Sequence, residues 1–227
     1  MNVRFVEQIT TALAPDRLEA YRQDGAPDNL ALARYLLNLA LCEALYSPLH
    51  LAEVALRNAL HAALSQRYRA PRWYESNDVP LTAWQQEALT SARHRWREAP
   101  KPPDAVRMVA ELNFGFWTGF FNKAHARNGL GFHLAHTIFP HAPREERDLA
   151  RLDLRWTRLR ELRNRVFHHE RIVHHSDLAE RHREMFLVIG WINPEVRELT
   201  HALDRFTEIR QAGVGPWLAK LAWRSPP

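Results

Sequence analysis

Apolar residues recur at helical spacing along nearly all of this chain, and alternating β-branched runs are missing. The pattern predicts helices throughout. Pro15 and Asp16 open a short helix ending near Gly25. A second begins after Pro27 and Asp28 and runs to about Tyr46. Its stretch "NLALARYLLNLALCEALY" is interrupted by Arg34 and Glu43, as in an amphipathic core helix and not a membrane span. Ser47-Pro48 reads as an N-cap followed by a first-turn proline, opening a further helix to about Tyr68. "RAPRWYESNDVP" is a loop. Another helix spans about Leu81 to Glu98, and "APKPPD" stops it.

A short helical segment holds "DAVRMVAELNFGFWTGFF", and "HARNGLGF" is a turn-rich break. Pro143 with Glu145 and Glu146 suits the start of a helix running to about His169. Asp177 and Glu180 resemble a capping box for the next helix. Asn193-Pro194-Glu195 starts another, ending near Gly213, and a short tail helix includes Trp217. No internal repeat is found, and "APKPPD" is too short to separate independent domains. The expectation is a single all-α domain over residues 1–227, with no strands.

Composition narrows the function. A 227-residue chain with 46% hydrophobic and 25% charged residues is an ordinary globular protein. One cysteine, Cys42, excludes an intrachain disulfide framework and points to a reducing compartment. "MNVRFVEQITTALAP" carries Arg4 and Glu7 within its apolar stretch, unlike a secretory signal. A cytoplasmic protein without a membrane anchor is expected. Net charge is +5, and only Lys101, Lys123 and Lys220 are lysines among 31 basic residues. Forked guanidinium groups suit phosphate and partly buried ion pairs, so an anionic partner such as nucleic acid is favoured.

The helix predicted over about 143–169 carries an anomaly. Leu152, Trp156, Leu159, Arg163 and Val166 recur at spacings of four, three, four and three, the buried seam of an amphipathic helix. Arg163 sits in that seam, where a guanidinium needs an anionic or hydrogen-bonding partner. Beside it runs a polar stripe of Arg160, Asn164, His168 and Arg171. Asn164 and His168 share one face, and Arg163 is one residue round. Two readings stay open. Arg163 pairs with a glutamate of another helix, with the histidines solvated. Alternatively, guanidinium, amide and imidazole converge on a phosphate, where the imidazole exchanges a proton near neutrality.

The segment "LRNRVFHHERI" resembles the Arg-Asn-x-x-x-His signature of the HEPN superfamily, and in particular its Abi-like (abortive-infection) branch. "LHLAEVALRNALHAAL" is similar to that branch's earlier helix with a Glu and an Arg-Asn pair. "MVAELNFGFWTGFF" is similar to its Phe-Gly-x-Trp segment, in the same order. "IGWINPE" after the motif also suits the branch. The matches cover about residues 48 to 172.

The resemblance implies a HEPN-type helical bundle with additional helices. It implies a metal-independent endoribonuclease without cofactor, acting as a homodimer in antiphage defence or as a toxin with an antitoxin or other regulatory partner. Arg163, Asn164 and His168 would then be catalytic. His168 would act as general base or acid, two copies across a dimer dividing those roles. Arg163 would stabilise phosphoryl charge, and Asn164 would orient His168 or the phosphate. Cleavage by the 2′-hydroxyl leaves a 2′,3′-cyclic phosphate and a free 5′-hydroxyl. The alternative in the same superfamily is a non-catalytic module that binds RNA or a protein. A purely structural helical protein is the third option.

Supporting residues divide likewise. Glu53 and Arg57 lie four apart on one helix face, as an ion pair or as a brace for Arg163 with Asn58. Arg160, His169, Glu170 and Arg171 are placed to flank the active site or bind RNA. His168, His169, Glu170, His174 and His175 match no zinc spacing, so no metal is expected. "FGFWTGFF" is either core or a platform for stacking bases.

Overall fold

The computed structural model describes residues 3–13, 15–22, 25–96 and 104–222. Among these, all regular structure is helical and no strand occurs, so the protein is all-α. The α-helices in chain order are α1 (Val3–Ala12), α2 (Pro15–Glu19), α3 (Asp28–Tyr68), α4 (Ala83–Arg95), α5 (Ala105–Glu111), α6 (Phe114–Thr118) and α7 (Lys123–Arg127). They continue with α8 (Leu130–Ile138), α9 (Leu149–Phe167), α10 (Leu178–Ile192), α11 (Pro194–Leu203), α12 (Phe206–Ala212) and α13 (Gly215–Ala222).

The two helices expected around Ser47-Pro48 are one. Helix α3 runs 41 residues with Pro48 inside it. An interior proline removes one backbone donor and crowds the preceding turn, at a cost of about 3 kcal/mol. The stripe Leu41, Leu45, Leu49, Ala52, Leu56, Leu60 and Leu64 is buried without interruption on both sides of it. Burying each leucine is worth about 1.5–3 kcal/mol, which outweighs the lost bond. By length and composition alone α3 could also cross a membrane, and 44% of its apolar window is buried inside the fold.

Other boundaries moved for local reasons. Helix α2 ends at Glu19, well short of Gly25. The expected helix to Glu98 ends, within the described residues, at Arg95. The linker prolines of 99–103 lie outside those residues, while Asp104 caps α5 by accepting the Arg107 N–H at 2.8 Å. "HARNGLGF", expected as a break, lies mostly within α7 and α8. Gly129, at φ +74°, is the one sharp turn between them. The expected start at Pro143 is only a 3-10 turn over Arg144–Arg147. Asp148 then accepts the Arg151 N–H at 3.0 Å and so begins α9. At the capping box expected for α10, the Asp177 carboxylate receives Arg181 Nε at 2.8 Å. The expected helix to Gly213 is split, because Asp204 accepts the Phe206 N–H at 3.1 Å and starts α12.

The chain divides into two packed units. The first comprises Met1–Pro48, Arg163–His182 and Leu203–Pro227. Its core joins Leu18, Tyr21, Leu32, Tyr35 and Leu221, with Phe5, Ile9, Val173 and Trp217 packed on it. The Tyr21 and Tyr35 rings meet edge to face at 5.5 Å.

The second unit comprises Leu49–Leu162 and Arg183–Ala202. Its centre is aromatic: Trp73, Phe114, Phe116, Trp117, Phe120, Phe121, Phe139 and Trp156 are all essentially buried. Their rings meet mostly edge to face, as Phe116 on Trp117 at 5.0 Å and Phe114 on Trp156 at 6.0 Å. The "FGFWTGFF" run is therefore core and not a stacking platform. Here too lies an arginine paired with a glutamate of another helix: Arg155 donates to Glu184 at 2.8 Å and to Glu146 at 2.7 Å, over the Trp191 ring.

Candidate functional site

Helix α9 ends inside the motif. The His169 N–H donates to the Val166 carbonyl at 3.3 Å and the Glu170 N–H to the Arg165 carbonyl at 2.9 Å. This paired closure needs a left-handed residue between them, and His169 supplies it at φ +59°. The histidines thus sit where the chain leaves the helix, not along its side. The remaining motif bond is regular, with the His168 N–H on the Asn164 carbonyl at 2.9 Å.

Arg163 does not occupy the seam. Leu162, 1% exposed, takes that position beside Leu159 and Val166, and Arg163 is half-buried on the flank. A helix of 3.6 residues per turn drifts off a strict four-three spacing, which brings residue 162 inward. The Arg163 guanidinium lies over the Phe167 ring at 4.4 Å. That ring stacks in turn on Tyr46 at 4.9 Å. Asn164 is exposed on the next position round.

Past the helix end a groove of about 350 Å³ opens in the first unit. Arg17, Ala20 and Tyr21 line it from the α2 region. Arg165, His168, His169, Glu170, Arg171 and His174 line it from the motif. His168 is the member of the expected catalytic set that faces this groove, and His169, Glu170 and Arg171 join it as expected. Three guanidinium groups and three imidazoles against one carboxylate make the lining basic. The carboxylate itself is engaged, since Arg165 donates to Glu170 at 3.1 Å. Arg171 is held in place, donating to the Ala20 carbonyl with its guanidinium 5.9 Å from the Tyr21 ring.

His174 is exposed, and partial desolvation, then the neighbouring His175, Arg171 and Arg165, lower its imidazole below its ordinary range, which favours the neutral form. Burial also pushes the Tyr21 phenol up to about 12, keeping it protonated.

Arg160, Glu53, Arg57 and Asn58 belong to the second unit. There Arg160 donates to the Thr118 hydroxyl at 3.2 Å. Arg57 is half-buried with its Nε enclosed and unpartnered, and Asn58 is exposed. His61, on the same face as Glu53 and Arg57, accepts the Trp73 indole N–H at 3.0 Å and serves packing. Among the described residues no three His, Cys, Asp or Glu side chains group to hold a metal ion.

Three features escaped the sequence. Arg17 reaches the groove from about 150 residues upstream, and no local pattern marks it. Arg165 was hidden in plain view between Asn164 and Val166. Asn38, 2% exposed, is the clamp for the loop after the motif. Its Oδ1 accepts the N–H groups of Ile172 at 2.7 Å and Val173 at 3.1 Å, and its Nδ2 donates to the Glu170 carbonyl at 3.3 Å. A polar residue in the apolar stripe "LLNLAL" was the available signal. No family model matches the chain, and comparisons with curated proteins and with solved structures find no match either.

Proposed function

We propose that this protein is a HEPN-type endoribonuclease of the abortive-infection kind, cleaving RNA by attack of its own 2′-hydroxyl. The observation that carries the reading is His168, last residue of the Arg-Asn-x-x-x-His motif, opening on a basic groove with Arg17, Arg165 and Arg171. Guanidinium groups hold a phosphodiester without titrating, and an imidazole moves a proton near neutrality. Positioning and electrostatics then supply most of the rate, with proton transfer adding about 10²–10⁴-fold. Arg163, which lies over the Phe167 ring and precedes His168 on the same helix end, is the group that would meet the phosphoryl oxygens once RNA is bound, and Asn164 would orient the phosphate. The protein acts in the cytoplasm, as a homodimer in the manner of the superfamily, and halts growth unless a partner restrains it.

A second reading has its own support. Arg163 engages an aromatic ring and does not line the groove, which suits a module that binds RNA without cutting it.

Controlled expression separates the two. Wild type should arrest growth, and an Arg163→Ala/His168→Ala chain should not. Total RNA incubated with the purified protein and EDTA should yield fragments with 2′,3′-cyclic phosphate ends. Arrest that persists in the double variant, with RNA left intact, would mean binding alone.

A further inference from the structure

Resting on that reading, we infer that His174 is a second proton-transfer group of the groove, so that one chain carries both the base and the acid of the cleavage. His174 takes the proton of the 2′-hydroxyl, and His168 gives a proton to the departing 5′-oxygen.

The geometry behind this is the origin of the two rings. In-line displacement places the attacking and leaving oxygens on opposite sides of phosphorus. Base and acid must therefore approach from different directions. His168 and His169 leave one helix end as consecutive residues. His174 comes from a separate turn, closed by the His175 N–H on the Ile172 carbonyl at 3.0 Å. That turn is fixed from below by Asn38 through Ile172 and Val173. The His174 ring packs on His175 with centroids 4.2 Å apart. Both His168 and His174 line the same groove. His174 is thus an imidazole on a braced turn of its own, separate from the helix end that carries His168, and both rings line one groove.

Protonation agrees with the role of base: partial desolvation first, then His175, Arg171 and Arg165, lower the His174 pKa and so favour the neutral form that a base requires.

The step balances. The O2′–H proton passes to His174, and the O2′–P bond forms as the P–O5′ bond breaks. The protonated His168 ring delivers its proton to O5′. The products are a 2′,3′-cyclic phosphate, a 5′-hydroxyl, protonated His174 and neutral His168.

The test compares an RNA oligonucleotide with uridine 3′-(4-nitrophenyl phosphate), whose leaving group departs as a stable anion without an acid. His168→Ala should lose about 100-fold or more on RNA while keeping cleavage of the nitrophenyl ester within about tenfold. His174→Ala and His174→Gln should lose about 100-fold on both, with melting temperatures unchanged. Mixing His168→Ala with His174→Ala should restore nothing, because both groups serve one chain's groove.

A His174→Ala protein that cuts RNA at the wild-type rate overturns the inference while leaving the nuclease reading intact. So does a reversed pattern on the ester, or activity regained on mixing. A wild-type chain that cuts neither substrate overturns both.

Discussion

The side-chain oxygen of Asn38 accepts the backbone N–H of Ile172 at 2.7 Å, across 134 residues of sequence. One carboxamide in the middle of α3 thereby sets the path of the chain that leaves the motif helix. It satisfies two consecutive donors and one carbonyl that no secondary structure serves.

Asn38→Ala should therefore destabilise the protein by about 2–4 kcal/mol, since a buried donor left unsatisfied costs about 1–3 kcal/mol. Ile172 is fully buried, so water does not replace the lost acceptor. Urea denaturation measures the loss. Hydrogen exchange at the Ile172 amide should accelerate in the same variant. An unchanged unfolding midpoint would remove Asn38 from its role as clamp.

His169 is held left-handed, where a side chain costs roughly 1–2 kcal/mol. His169→Gly should stabilise the fold by up to about 1 kcal/mol, the gain being reduced by glycine's greater freedom when unfolded. His169→Val should do the opposite. Thermal melts of the pair decide it, and a glycine variant that melts lower than wild type would show that the imbalance lies elsewhere.

His125 gives the second unit an acid limit. It is fully buried and lies 2.7 Å from the Gln85 carboxamide oxygen, and burial pushes its pKa down to about 4. The unfolded chain binds this proton near pH 6.5, before the folded chain does. The contribution is whole above pH 6.5, declines as pH falls toward 4, and is lost below that. On linkage it is on the order of 2–3 kcal/mol. Stability measured at pH 4.5 and 7.5 should differ less in His125→Gln than in wild type. An identical difference in both would contradict the assignment.

Gly131 marks a close approach at the start of α8. A Cβ there would stand 2.9 Å from the Phe120 carbonyl oxygen and 3.1 Å from Leu149 Cδ1. Neither backbone nor a buried leucine moves cheaply, so Gly131→Ala should cost about 1–3 kcal/mol in equilibrium unfolding. A neutral result would mean that the α7–α8 turn yields freely.

Local chemistry determined much of this protein. Helical periodicity and missing strand patterns gave an all-α chain. Asn193 marked a real helix start, and "RNRVFHH" marked the end of α9 where the groove opens. What is decided by distance in space was not legible. Pro48 reads as a break because its cost is local, whereas the leucine stripe that overrides it is paid back only in the packed core. Arg163 reads as a seam residue because spacing counts residues, and helical drift hands the buried place to Leu162. Arg17 and Asn38 reach the groove and its loop from more than 130 residues upstream of them, by contacts that only folding creates. Sequence order carries the periodicity of each helix, but burial, and with it the balance between strain, desolvation and pairing, exists only once distant segments have met.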